Sequence, residues 1–190
     1  MKSKLVIAAA LAGTAFILLR NKANGTSIMR DIITAGNYTM KNGTDMKTSQ
    51  IGVDKLKARE GFSAKPYKDA NGFSIGFGHF ILPADGAQYN AGISQSVAEQ
   101  LLKQDLAKAE HAVNAYVKTA LTQFEFDALV SFTYNVGVGG LAASQVLRDI
   151  NAGNKNIAAS KFSRFVTVNK VVNVSLVKRR ESERLQFLGA

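Results

Sequence analysis

The chain contains no cysteine. That excludes a disulfide framework, a thiol nucleophile, a cysteine-ligated metal and any disulfide-switched release of activity. It has two histidines, His79 and His111, far apart and without a cluster of carboxylates beside either, so no zinc site is expected. Acids are also scarce. Fourteen Asp and Glu face 24 Lys and Arg, giving a net charge of +10 and a pI near 9.9. Such a balance suits a polyanionic partner: nucleic acid, an acidic membrane surface or an anionic cell wall. No helix-turn-helix and no basic-aromatic pattern accompanies the charge, so a nucleic-acid binder rests on charge alone. No internal repeat is found. The 190 residues suffice for one domain with a real core, plus a tail.

Residues 1–22 read as a targeting or anchoring segment. Lys2 and Lys4 precede an uncharged, mostly apolar run from Leu5 to Leu19, and Arg20 and Lys22 follow it. The run is shorter than the roughly 17 to 25 residues of a comfortable span. That length fits the apolar region of a signal peptide, but the cationic flank and the lack of a small-x-small cleavage site favour an uncleaved membrane anchor. A cleaved signal and a buried helix stay open. Residues 23–48 carry Asn-Gly twice and many Thr and Ser, and read as a linker. The remaining residues, 49–190, read as the folded, catalytic part.

The stretch from Arg59 to His79 organises the rest. Ser49 caps a short helix whose last turn holds Glu60. A carboxylate there meets the negative end of the helix dipole, which disfavours its charge. Asp69 follows nine positions on, at an Asn-Gly turn, and Ser74 opens a Gly-Phe-Gly-His run. Tyr67, Phe73, Ile75 and Phe77 suggest short strands around that turn, hence a small hairpin or sheet. Two carboxyls in different settings with a hydroxyl beside the second are what glycoside hydrolysis requires. One protonates the leaving group, and the other handles water or the developing cation.

From Ser94 the pattern turns helical. Val97, Leu101, Leu106 or Ala107, and Val113 mark one face to about Val117. Thr122 and Glu125 form a capping box, with Leu121 and Phe126 placed as a hydrophobic staple. That helix is expected to end near Asn135–Gly137, with Gly139-Gly140 as a firm break. Further helices are expected over Leu141–Ile150, Ile157–Phe165 and Ser175–Phe187. A small β element followed by many helices is an α+β pattern with a segregated sheet.

The order of these pieces resembles the phage-type lysozymes, glycoside hydrolase family 24. The residues that carry it are Glu60-Gly61, Tyr67-x-Asp69-x-x-Gly72 and Ser74-Ile75-Gly76-x-Gly78-His79. Downstream, Phe126–Phe132 leads into Tyr134-Asn135-Val136-Gly137, then come Leu147–Gly153 and Leu176–Glu181. The resemblance implies a lysozyme-like fold: a small hairpin lobe, a long connecting helix, a helical lobe and a cleft between them. It also implies cleavage of peptidoglycan between N-acetylmuramic acid and N-acetylglucosamine, with inversion and no cofactor. Glu60 would be the general acid, and Asp69 and Ser74 would position the attacking water. The family usually has threonine at Ser74 and one more residue between Asp69 and that hydroxyl. Both departures keep a lytic transglycosylase and a non-catalytic wall-binding or virion protein in view.

Other positions have two readings. Tyr134 and Asn135 either line the cleft, Asn135 bonding an N-acetyl group, or simply close a helix before Gly137. His79 is expected to orient a loop, through an acid such as Asp85. Arg179 or Arg180 is expected to reach the Glu60 helix and fix its position. His111 is given no role. The partners implied are peptidoglycan and, through residues 5–19, a membrane, with a monomeric catalytic domain. The implied place is the periplasmic face of a host membrane or a virion membrane, in phage lysis or in opening the wall during infection.

Overall fold

The protein is described here from a computed structural model, covering residues 6–7, 17–18, 45–69 and 72–190. The chain divides into two units, Met1–Met40 and Lys41–Ala190. Within the first, Val6–Ile7 (β1) pairs antiparallel with Ile17–Leu18 (β2). The rest of the expected anchor and most of the expected linker lie outside the described residues. Among the described residues no helix is long and apolar enough to cross a membrane.

The second unit is α+β, as expected. Its order is α1 (Gln50–Glu60), β3 (Ser63–Asp69), β4 (Gly72–Gly76), β5 (His79–Ile81), a short α2 (Gly86–Tyr89), α3 (Gln95–Tyr116), α4 (Gln123–Ala143), α5 (Gln145–Asn151), α6 (Lys155–Lys161), a small hairpin of β6 (Thr167–Val168) and β7 (Val171–Val172), and α7 (Val174–Phe187). Strands β3, β4 and β5 form one antiparallel meander. Ile75, Ile81 and Tyr89 make a small core beneath it, with Ile93 and Leu101 against them. A second, larger core runs from Leu56 and Phe77 through α3 to Phe126, Leu129, Phe132, Ile150 and Phe162.

Helix α3 touches both cores, and its face agrees with the sequence in its later turns and differs in its first ones. Ala98, Leu102, Leu106, Ala109 and Val113 are buried, at the i, i+4, i+3 spacing of one stripe. Val97 is exposed, and Leu101 serves the small core. Leu106 and Val113 thus lie on the buried stripe as expected, while in the first turns Ala98 and Leu102 take the places given to Val97 and Leu101.

Helix α4 opens with the expected capping box of Thr122 and Glu125. Its first stretch ends at Gly137, as the sequence leads one to expect. That residue takes φ 80°, ψ 163°, which interrupts the helix, and the chain then resumes helical geometry to Ala143. The break thus falls at Gly137, where glycine alone tolerates the backbone, and Gly139-Gly140 stays helical. Ser144 ends α4 and caps α5 by accepting from the Leu147 N–H. The β6–β7 hairpin and α2 were not foreseen.

Residues ahead of α1 already belong to this unit. Met46 is buried, its N–H donates to Asn114 Oδ1 and its carbonyl accepts from Asn114 Nδ2. The Thr48 N–H and the Lys47 ammonium both reach Glu110. The fold therefore starts before the Ser49 boundary expected from the sequence.

Candidate active site

Helix α1 is held at both ends, and this fixes Glu60. At its start the Ser49 side chain accepts from the Gly52 N–H. The Ser49 N–H and hydroxyl both donate to Asp127 on α4. Gly52 lies so close that a Cβ would stand 2.6 Å from Asp127 Cγ. At its end, Arg59 donates to Ser131 Oγ on α4 (3.1 Å) and to Ser182 Oγ (2.9 Å) and Gln186 Oε1 (2.7 Å) on α7. Burial holds the Arg59 guanidinium below its ordinary pKa, with the Glu183 carboxylate acting the other way.

Glu60 is the last residue of α1, and its Oε1 lies 2.7 Å from Arg179 Nη1 on α7. Arg179 has no freedom left to wander. Its Nε donates to Glu183 Oε1 at 3.0 Å, and its Nη2 donates to the Ser131 carbonyl at 3.3 Å. The helix end opposes charge on Glu60, and the guanidinium compensates it. Glu183 is fully buried and also accepts from the Ser131 hydroxyl and from Arg180. Arg180 does not touch Glu60. It is buried over the Phe132 ring and donates to Asn135 Oδ1 at 2.7 Å. Burial, more than its neighbours' charges, lowers its pKa to about 10. Three arginines and two carboxylates thus tie α1, α4 and α7 together around the acid.

The second half of the site comes from the β3–β4 hairpin. Asp69 pairs with Gly72, and Tyr67 pairs with Ser74. In an antiparallel pair, opposite residues share a face, as do residues two apart on one strand. Tyr67, Asp69 and Ser74 are therefore on one face. The Ser74 hydroxyl, buried at 1% exposure, donates to Asp69 Oδ2 at 3.3 Å. Burial raises the Tyr67 pKa, and the negative charges of Asp69 and Glu60 push it further the same way. The phenol of Tyr67 is thus close enough to sense both carboxylates.

Between the halves stands Gly78, at φ +90°. A Cβ there would sit 3.5 Å from Glu60 Oε2 and 3.8 Å from the Tyr134 hydroxyl. Glycine keeps that space open in front of the acid. Tyr134 is mostly buried, and its hydroxyl donates to the Phe77 carbonyl at 3.0 Å, joining α4 to the β-lobe. Burial first, then the fields of Asp105 and Glu60, pushes its phenol well above the usual value. The Tyr134 proton is therefore committed, which leaves its ring to face a ligand. Asn135 is exposed, but Arg180 occupies its Oδ1, so only its amide N–H groups are free to donate.

His79 Nδ1 lies 2.7 Å from Asp105 Oδ2 on α3. The partner is Asp105, not the expected Asp85. Asp105 is many residues away in sequence, and only the packing of β5 on α3 brings it near. His79, Asp105, Gly78 and Tyr134 line a cavity of about 440 Å3, whose lining does not include Glu60, Asp69 or Ser74. A more apolar groove of about 520 Å3 runs past His111 and Tyr116 and contains none of the expected site residues. Among the described residues no group of three or more His, Asp or Glu is arranged to hold a metal.

Four participants escaped the sequence reading. Tyr67 carried a usable signal, the period-two spacing to Asp69 across from Ser74. Arg59, Ser131 and Glu183 carried none, because each acts across helices far apart in sequence.

The phage lysozyme family model matches residues 57–183. The endolysin of Bacillus phage B103 is 40% identical over 146 residues, covering 75% of this chain and 54% of that protein. The chain thus spans about half the length of that relative. The SAR-endolysin of bacteriophage PS119 is 34% identical over 129 residues, covering 66% of this chain and 74% of that protein. Among solved structures, the muramidase domain of SpmX from Asticaccaulis excentricus aligns with a TM-score of 0.68 at 36% identity, over 75% of this chain and 97% of that one. The Arg59–His79 stretch, the helices that clamp it and these matches agree: the chain belongs to the phage lysozyme family.

Proposed function

We propose that the chain is a peptidoglycan hydrolase that cleaves the β-1,4 bond between N-acetylmuramic acid and N-acetylglucosamine. The observation that carries this reading is the clamped acid. Glu60 is held by Arg179 beside an opening kept by Gly78, and Tyr67 links it electrostatically to Asp69 and Ser74. Glu60 protonates the leaving glycosidic oxygen. A water held by Asp69 and the Ser74 hydroxyl attacks the anomeric carbon from the other face, with inversion. The Ser74–Asp69 hydrogen bond supports water positioning over a transglycosylase outcome, since it leaves the hydroxyl oxygen able to accept from a water. Tyr134 offers a ring face and Asn135 an amide donor to the glycan.

The setting is membrane-tethered action on the wall in phage lysis. It is supported by the apolar run of residues 5–19, the linker that follows and the likeness to a SAR-endolysin. The positive charge draws the enzyme to anionic wall and membrane polymers. The reading is tested by digesting purified peptidoglycan and identifying the new chain ends by mass spectrometry, with proton NMR of the first-formed anomer. Reducing N-acetylmuramic acid ends of inverted configuration are expected. Anhydro ends would replace hydrolysis with transglycosylation, and reducing N-acetylglucosamine ends would move the cleaved bond.

A further inference from the structure

The β6–β7 hairpin is apolar on both faces and buries neither. Val171 and Val172 are adjacent in one strand, so they point to opposite sides, yet they are 69% and 62% exposed. Val168 on the other strand and Val174 just after the hairpin are exposed as well. A strand needs β-branched residues on one face to pack against a core. Here no core lies on either side, and a lone two-stranded hairpin gains little in water. The hairpin is nonetheless fixed at its base. The Asn173 N–H donates to the Val166 carbonyl, and the Asn173 side chain caps α7.

The tip is equally unusual. Asn169 and Lys170 both adopt positive φ, 50° and 66°. Two such residues make the turn that suits a tight hairpin, where glycine is the unstrained choice at the second position. The chain places a lysine there and accepts the strain. Lys170 is exposed, as are Arg164 before the hairpin and Lys178 after it, and none of the three pairs with an acid among the described residues. Residues 150–180 hold seven lysines and arginines and no acid.

We propose that this hairpin is a membrane-surface probe that inserts its valines between the headgroups of an anionic bilayer, with Lys170, Arg164 and Lys178 on lipid phosphates. Exposed valines have no role against a polar wall polymer, but they fit the boundary between headgroups and acyl chains. The cations around them match the charge of anionic lipid. Because the hairpin runs directly into α7, which carries Arg179, insertion would set the orientation of the acid-bearing part of the molecule at the membrane. The proposal stands whether or not the glycan-cleaving reading does.

The chain has no tryptophan, so Val171→Trp in the full chain gives a single local reporter. Its emission is followed on vesicles of phosphatidylcholine alone and with phosphatidylglycerol, and with acyl chains carrying bromine as a quencher. Val174→Trp serves as a second reporter if the first variant melts early. The expected result is a blue shift and bromine quenching that require phosphatidylglycerol. Adding Lys170→Gly, which relieves the strained turn and keeps the fold, should cut the quenched fraction by roughly fivefold, the effect of one surface cation. Water-like, unquenched emission from chains that sediment with the vesicles would overturn the proposal. So would a shift produced by soluble muropeptides and not by lipid.

Discussion

Arg179 reaches Glu60 from a helix more than a hundred residues later in the chain, Nη1 to Oε1 at 2.7 Å, while its other two nitrogens are held by Glu183 and the Ser131 carbonyl. The guanidinium is a three-way fork, and only arginine has that geometry. Arg179→Lys should therefore lower kcat by at least about tenfold. Arg179→Ala, which leaves two nearly buried carboxylates short of a cation, should also cost about 3 kcal/mol. Arg180 pairs with Glu183 and Asn135 but not with Glu60. Arg180→Lys should lower the melting temperature with a smaller effect on kcat. Thermal unfolding and turnover on the same preparations separate the two roles.

Gly78 faces the acid at φ +90°. Gly78→Ala puts a methyl group 3.5 Å from Glu60 Oε2 and strains the backbone by about 1–2 kcal/mol. A modest fall in Tm with a disproportionate rise in KM is expected, measured by thermal unfolding and by steady-state clearing of wall suspensions.

Gly52→Ala tests the other end of the same helix. Alanine is the better helix former by about 1 kcal/mol. The Cβ would nonetheless meet Asp127 Cγ at 2.6 Å, and Asp127 is fixed by Ser49 and Gln123. The clash should win, destabilising by about 1–3 kcal/mol, read as a lower urea midpoint with an unchanged slope.

The alkaline limit of stability follows from Tyr134. Its phenol titrates well above its unfolded value near 10, because burial disfavours the phenolate. The folded state therefore keeps the proton after the unfolded chain releases it. The contribution is full below pH 10 and declines as pH rises toward the folded value, by about 1.4 kcal/mol per pH unit while the folded phenol stays protonated. Tyr67 is shifted the same way. Tyr134→Phe should be less stable at neutral pH, through the lost bond to Phe77, but should lose less between pH 10 and 11.5. Melting temperature against pH measures both.

The parts of this site that are local in sequence were legible. Ser49, the end of α1 at Glu60, the hairpin closed by Asp69 and Gly72, and the Thr122–Glu125 box all rest on neighbours within a few residues. What was not legible is set by packing between helices. His79 finds Asp105 rather than Asp85 because β5 lies on α3. The end of the first stretch of α4 at Gly137 was legible, but the return to helix across Gly139-Gly140 was not, since a glycine pair by itself signals a break. In the first turns of α3 the chain buries Ala98 and Leu102 where Val97 and Leu101 are the equally apolar alternative, and spacing alone does not choose between them. Arg59, Ser131 and Glu183 meet around Glu60 from three helices, and no spacing rule connects them.

The central claim is that Glu60 delivers the proton that breaks the glycosidic bond. The most direct measurement compares the full chain with Glu60→Gln on purified peptidoglycan, following release of soluble muropeptides while thermal unfolding verifies that both are folded. The expected result is a loss of at least roughly a hundredfold in rate for a variant that still melts cooperatively. Release at the wild-type rate by folded Glu60→Gln would contradict the assignment and remove Glu60 from the chemistry.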